Sequence, residues 1–239
     1  MTCMPLNRGN IVKWMFKTLL ILLLWPLTLL AQDQSSTNVS SAGQKGWNEL
    51  NGEKLEALKL NGDATRGEES FQVCQGCHKR GATGSASGAY PRLAGQHVSV
   101  LIEQIADIRS GKRKNDKMLP FADEHELTTQ AIADIAAYLH ALPLTPNVFG
   151  KGPGNALARG KTLYLRDCLI CHGENGEGSA EKFYPLIAGQ NYKYMLREVG
   201  FIRDGKRGNA NPEMIKVIKP YSDADLAAVT DYISELEIH

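Results

Sequence analysis

Two motifs of identical form contain four of the five cysteines in this chain of 239 residues. Residues 74–78 are Cys-Gln-Gly-Cys-His, and residues 168–172 are Cys-Leu-Ile-Cys-His. On a turn of helix, two cysteines three positions apart lie on one face and can form thioethers to the vinyl groups of one porphyrin. The histidine that follows can then bind the iron through a neutral imidazole nitrogen. The motifs predict two covalently attached haem c groups, held by Cys74, Cys77, Cys168 and Cys171, with His78 and His172 as iron ligands.

Three other roles of a Cys-x-x-Cys pair compete with haem attachment. A zinc site would need two further Cys or His ligands at short spacing, which neither half of the chain provides. A thioredoxin-like redox pair belongs to a strand–helix unit, and no segment alternates with a period of two. A disulfide scaffold is unnecessary in a chain long enough to bury a core. Haem attachment is therefore favoured, and the fifth cysteine, Cys3, has no assigned role.

The sixth iron ligand is expected downstream of each motif, because thioether sulfur suits haem iron. Met118 is the only methionine that follows the first motif in its half, and it lies in a lysine-rich segment interpreted as a loop. Met214 lies in the corresponding loop of the second half, whereas Met195 falls on an apolar helix face and is interpreted as a core residue. Met118 and Met214 are thus the predicted axial ligands. The weaker candidates are His97, His125 and His140.

The two motifs belong to a repeat, because an offset of 94 residues superimposes the two halves of the chain. The further matches are Tyr90-Pro91 with Tyr184-Pro185, Ala94-Gly95-Gln96 with Ala188-Gly189-Gln190, and Gly111-Lys112-Arg113 with Gly205-Lys206-Arg207. Between the halves, residues 143–155 are rich in proline and glycine, as expected of a junction. A period of this length predicts tandem domains over residues 64–145 and 155–239.

Apolar residues recur at helical spacing in both halves. The corresponding triplets are Leu101, Ile105, Ile108 and Met195, Val199, Ile202. Further helices are predicted at Ala64–Val73, Thr128–Leu142, Ala156–Asp167 and Ser222–Leu236, with a short one within Trp47–Leu60. The predicted fold class is all-α.

The N-terminal residues 1–31 have the order of features typical of an export signal. Arg8, Lys13 and Lys17 precede an apolar run from Leu19 to Leu30. The uncharged span is shorter than the ~20 residues of a bilayer-crossing helix, which favours a cleaved signal over a retained N-terminal anchor. Residues 32–63 follow as a linker or N-terminal extension. The predicted location is periplasmic, with inner-membrane attachment if the segment is retained.

Composition excludes several classes of protein. The chain is 43% hydrophobic and 22% charged, which argues against wholesale disorder and a multi-span membrane protein. A net charge of +1 gives no basic field for nucleic acid. A basic cluster at residues 112–117, matched by Lys206 and Arg207, could steer an acidic partner, but cations near a helix C-terminus explain it better. Gln96 and Gln190 are interpreted as helix caps.

These features together resemble class I cytochromes c, and the tandem form resembles the di-haem cytochrome c4/c553 group. The resemblance covers about residues 64–239. It implies two cytochrome c folds, each wrapped around one haem with its N- and C-terminal helices crossed. It also implies electron transfer with protein partners: a donor dehydrogenase or membrane complex, and an acceptor oxidase or reductase.

An iron bound by one histidine and one methionine has no vacant position, so it can only change its oxidation state. This favours an electron carrier that is not an enzyme. One alternative is a haem-bearing subunit of a larger dehydrogenase or oxidase, which would have the same sequence features. Another is a di-haem peroxidase, which would need one iron with an open position and would bind carbon monoxide when reduced.

Overall fold

The computed structural model describes residues 47–147 and 150–237, so the predicted signal or anchor at residues 1–31 lies outside the described residues. The helices are α1 (Gly52–Lys59), α2 (Ala64–Phe71), α3 (Gln75–His78), α4 (Val98–Arg109), α5 (Leu119–Ala122), α6 (Thr129–Ala141), α7 (Leu157–Leu163), α8 (Leu169–His172), α9 (Tyr192–Arg203), α10 (Pro212–Ile218) and α11 (Asp223–Glu235). In these two ranges the β-type pairing is confined to one isolated bridge between Ser179 and Tyr184. The all-α prediction is confirmed.

The repeat in the sequence is a repeat in the structure. Helices α2–α6 form the first copy and α7–α11 the second. In the first copy α2 packs against α6, and in the second α7 packs against α11. Each copy has its own apolar core, the first including Phe71, Ile102, Ile132 and Leu139 and the second Tyr164, Leu226, Val229 and Ile233. None of the helices in the described part of the chain is both long enough and apolar enough to cross a bilayer.

The helix crossing in each copy depends on a glycine. A Cβ atom at Gly67 would lie 2.0 Å from the carbonyl oxygen of Asp134 in α6. A Cβ atom at Gly160 would lie 2.1 Å from the carbonyl oxygen of Ala228 in α11. The backbones of the paired helices therefore approach so closely that no residue larger than glycine fits at these two positions. Helices α2 and α7 lead directly toward the cysteine motifs, so these crossings help to set where the motifs begin.

The segment between helix crossing and motif differs in length between the copies. Cys168 follows Gly160 by eight positions, whereas Cys74 follows Gly67 by seven. The second copy has a π-helical turn at Tyr164–Cys168 where the first has a 3₁₀ turn at Gln72–Cys74. A π turn includes one more residue in each hydrogen-bonded ring than an α turn. The extra residue is thus absorbed within the helix, ahead of the motif.

Both closing helices begin with a side-chain cap, Thr128 for α6 and Ser222 for α11. Ser222 and Asp225 form a reciprocal capping box at the start of α11. The prediction that Met214 lies in a loop is wrong, because this residue lies within α10. Asn211 caps that helix and Pro212 occupies its first turn, a combination that starts a helix. Met118 is the residue directly before the short helix α5.

Part of the predicted extension at residues 32–63 is an ordered element of the first copy. Helix α1 packs against α4 and α6, and Ala57 lies in the first apolar core. The ammonium group of Lys54 is buried, 3.6 Å from Glu103 Oε1 and 3.8 Å from Asp107 Oδ1. Glu53 forms an ion pair with Arg109. The pattern over Trp47–Leu60 thus predicted a helix correctly.

Substituting the crossing glycines will destabilise the protein. We expect Gly67→Ala and Gly160→Ala each to lower the free energy of unfolding by about 2 kcal/mol or more, because the paired helices must separate. Gly200→Ala in α9 is the matched control, since nothing lies within 4 Å of a Cβ atom there. That variant should gain up to ~1 kcal/mol from helix propensity. Denaturant unfolding followed by circular dichroism measures all three, and equal stabilities would contradict the crossing argument.

Glu103 will make stability depend on pH. Its side chain is 1% exposed, and burial raises its pKa from 4.5 to about 7, although Lys54 opposes this shift. The folded state therefore holds this proton at pH values where the unfolded state has lost it, so stability falls as pH rises from about 4.5 to about 7. The Glu103→Gln variant has no carboxyl group at this position, so this fall in stability with pH should disappear. We expect the variant to match the parent near pH 4.5 and to exceed it by on the order of 2 kcal/mol at pH 8. A constant difference across this range would refute the assignment.

Candidate functional site

The two motif histidines have the same environment in both copies. Each is 8% exposed and ends a short helix, α3 or α8. The Nδ1–H of His78 donates to the carbonyl oxygen of Pro91 at 3.3 Å, and that of His172 donates to Pro185 at 3.1 Å. Burial lowers the pKa of both rings, and the hydrogen bonds offset this effect only in part. Both imidazoles are therefore neutral at pH 7, with Nε2 unprotonated and able to bind a metal.

The cysteines are unsuited to the competing roles. No disulfide joins any of the four motif cysteines. Burial raises the pKa of Cys74, and it raises that of Cys168 to about 12, whereas a redox-active pair needs a lowered thiol pKa. Among residues 47–147 and 150–237, no group of three or more His, Cys, Asp or Glu residues could hold a metal ion. Two cysteines that form no disulfide, followed by a neutral histidine, fit covalent haem attachment.

A glycine turn brings each proline to its histidine. Gly84 and Gly178 adopt left-handed φ values of 76° and 71°. A Cβ atom at Gly84 would lie 2.6 Å from the Pro91 carbonyl carbon, and one at Gly178 would lie 2.5 Å from the Pro185 carbonyl oxygen. Both prolines belong to the repeated Tyr-Pro pair of the sequence. The sequence did not indicate that the proline carbonyl is the acceptor for the histidine.

The candidate sixth ligands each pack against the core of their own copy. Met118 packs partly buried against the first core, and Met214 does so against the second. Met195 is buried within the second core, on α9. The rival histidines have other environments. His97 Nε2 contacts the Glu177 carbonyl oxygen at 2.7 Å, His140 Nδ1 contacts that of Gln96 at 3.0 Å, and His125 is exposed.

Two residues of the basic clusters lie in the boundary between the copies. Arg113 donates to Glu198 at 3.1 Å and to Gln104 at 2.9 Å. Arg207 of the second copy donates to the same two side chains at 3.1 and 2.9 Å. These guanidinium groups are therefore not a surface collar for an acidic partner. The sequence missed this arrangement, because the contacts across the boundary join residues 85 and 103 positions apart and no local pattern connects them.

Comparison with known proteins agrees with this geometry. The family model described as cytochrome c matches residues 64–143 and 157–237. Cytochrome c4 of Azotobacter vinelandii is 33% identical over 73% of this chain and 90% of its own length. The thiosulfate dehydrogenase electron acceptor of Stutzerimonas stutzeri is 34% identical over 69% of this chain and 79% of its own length.

A solved structure extends the likeness to three dimensions. Reduced recombinant cytochrome c4 from Pseudomonas stutzeri superimposes with a TM-score of 0.67 at 28% identity, over 74% of this chain and all of that one. Both copies of the repeat therefore have the cytochrome c fold, and the chain carries two covalently attached haem c groups that transfer electrons. The chain belongs to the cytochrome c family, as a tandem di-haem member similar to cytochrome c4.

Proposed function

We propose that this protein is a periplasmic carrier of single electrons whose irons are bound by His78 with Met118 and by His172 with Met214. The thioether attachments are Cys74 and Cys77 in the first domain and Cys168 and Cys171 in the second. The observation that carries the proposal is the repeated hydrogen bond from histidine Nδ1–H to a proline carbonyl, which leaves Nε2 free in both copies. The domains are proposed to span residues 64–145 and 155–239, after a signal or anchor at residues 1–31 and an extension at residues 32–63.

The protein's residues suit electron transfer because they resist rearrangement. Bound haem supplies a one-electron iron couple, and methionine as sixth ligand raises its reduction potential relative to a second histidine. The proline carbonyl fixes the orientation of each imidazole and raises its basicity. The apolar cores that contain the methionines exclude water and favour the less charged reduced state. With both axial positions filled, substrate has no place to bind, so the proposal includes no enzymatic reaction.

The two motifs differ in the surface that they offer to a redox partner. Ile170, between the cysteines of the second motif, is 90% exposed, and Leu165 and Leu169 are exposed beside it. The first motif has Gln75 and Gly76 at the matching positions, with Val73 exposed directly before it. A contiguous exposed apolar patch with a polar rim is typical of a protein contact. We propose that the second domain docks onto an apolar patch of a dehydrogenase or an oxidase, which is also the contact that a subunit of a larger complex would use.

Haem stoichiometry is the first test. We expect two covalently bound haems per exported chain, measured by the pyridine haemochrome spectrum and by intact mass. Replacing Cys74 and Cys77 together by Ser should leave one haem, as should the same change at Cys168 and Cys171. Cys3→Ser is the control, because this cysteine belongs to neither motif. Fewer than two haems in the unchanged protein would contradict the proposed function.

Removing either methionine should open one iron. We expect Met118→Ala and Met214→Ala each to lose one sulfur-to-iron charge-transfer band and to bind carbon monoxide at one haem when reduced. The unchanged protein should bind none at neutral pH, because all axial positions are filled. Met195→Leu is the matched control, since this methionine lies in the core. Carbon monoxide binding by the unchanged protein would instead favour the peroxidase alternative for that domain.

A further inference from the structure

Two glutamines reach across the boundary between the copies and form the same pair of hydrogen bonds in opposite directions. Gln190 Oε1 accepts from the backbone N–H of Arg92, and its Nε2 donates to the Arg92 carbonyl, both at 2.9 Å. Gln96 forms the same two bonds with the backbone of Leu186, again at 2.9 Å. Both glutamine side chains are buried, with exposed fractions of 8% for Gln96 and 7% for Gln190. Each glutamine thus occupies the hydrogen-bonding positions that a neighbouring strand would fill.

The residues that these glutamines hold directly follow the two prolines. The carbonyl of Pro91 and the N–H of Arg92 belong to one planar peptide unit, since they lie on either side of the same bond. The carbonyl end of this unit accepts from His78, and its N–H end donates to Gln190. The unit between Pro185 and Leu186 connects His172 to Gln96 in the same way. One peptide group therefore separates each motif histidine from a glutamine of the other copy.

Hydrogen bonds at the two ends of a peptide group strengthen each other. An acceptor at the N–H moves electron density toward the carbonyl oxygen, because the amide is conjugated. A more negative carbonyl oxygen accepts more strongly from Nδ1–H, and this makes the imidazole a more basic ligand. A more basic ligand stabilises the oxidised iron relative to the reduced iron. The glutamine also fixes the position of the peptide, and hence the orientation of the ring.

We propose that Gln96 and Gln190 are positioning residues, each of which acts on the haem site of the opposite copy. Gln190 supports the ligand His78 of the first copy, and Gln96 supports the ligand His172 of the second. The proposal rests on the proposed roles of these histidines as axial ligands. In each direction, hydrogen bonds and one peptide group connect a motif histidine to a side chain of the other copy, without any charged group in the path.

A purely local role is the competing explanation. Gln96 Oε1 also accepts from the N–H of His97, and Gln190 Oε1 accepts from the N–H of Asn191, each at 3.0 Å. These bonds lie directly before α4 and α9, whose N-cap residues are His97 and Asn191, so the prediction that the glutamines cap these helices is wrong. Loss of the local bond would disturb the copy that contains the glutamine. Loss of the positioning bond would disturb the other copy, and the location of the effect distinguishes the two.

The test uses the holoprotein variants Gln96→Leu and Gln190→Leu and measures both haem potentials. A Met118→His variant, which lowers the potential of the first haem, identifies which redox wave belongs to which copy. We expect Gln190→Leu to raise the potential of the first haem, and Gln96→Leu to raise that of the second. Amide exchange of Arg92 and Leu186 should become about tenfold faster or more in the respective variants, as loss of a buried hydrogen bond predicts.

Other bonds across the same boundary provide matched controls. Ser99 Oγ donates to the Ala180 carbonyl at 2.6 Å, and Arg197 Nη1 donates to that of Gly88 at 2.7 Å. Neither acceptor adjoins the prolines, so Ser99→Ala and the charge-conserving Arg197→Lys should leave both potentials unchanged. If a leucine variant does not fold, Gln96→Asn or Gln190→Asn replaces it. The shorter side chain keeps the polar amide group but cannot reach the peptide across the boundary.

The outcomes separate this proposal from the proposed function. A shift confined to the glutamine's own haem, or no shift at either haem, would overturn the positioning role. Equal shifts of the haem potentials in the Ser99→Ala control would overturn it as well. The effect would then follow from the loss of any hydrogen bond across the boundary. Haem content and the sulfur-to-iron band report on the proposed function alone. The amide exchange of Arg92 and Leu186 tests the glutamine contacts directly, whichever residues bind the irons.

Discussion

The structure depends on a single requirement at each histidine: one ring nitrogen must be held so that the other stays free. A carbonyl oxygen can only accept, so the bond to Pro91 or Pro185 fixes the proton on Nδ1 and leaves Nε2 with its lone pair. Burial keeps the ring neutral, which a metal ligand needs. The glycine turn, the Tyr-Pro pair and the helix that carries the cysteines all serve to bring this one donor to this one acceptor.

The helix crossings help to position the cysteine motifs, and hence the same histidines, relative to the proline loops. Gly67 and Gly160 allow α2 and α7 to approach the closing helices of their copies until backbone lies against backbone. The motifs follow these contact points closely, so a change in the intervening length would move the cysteines relative to the loop that orients the histidine. The π turn at Tyr164–Cys168 shows how the second copy accommodates one more residue within the helix. Haem attachment is thereby compatible with two different lengths of this segment.

Local patterns in the sequence predicted most of the fold. Periodicity and capping located the long helices to within a few residues, and the spacing of Cys and His identified the motif chemistry. Helix α10 was missed because Asn211 and Pro212 were not weighed as a start signal, so Met214 was expected in a loop. The contacts of Gln96 and Arg113 were beyond such patterns. Each joins residues about 90 positions apart, and a glutamine before a helix is explained equally well as a cap.

The boundary between the copies combines reciprocal contacts of charged and of neutral side chains. Gln104 and Glu198 occupy equivalent positions of the repeat, and both arginines, Arg113 and Arg207, donate to both side chains. Two guanidinium groups thus share one carboxylate. Removing any of these charges would act on both copies at once, because charge interactions reach beyond the contacting atoms. The neutral glutamine contacts, by comparison, can affect one haem site without adding charge to it.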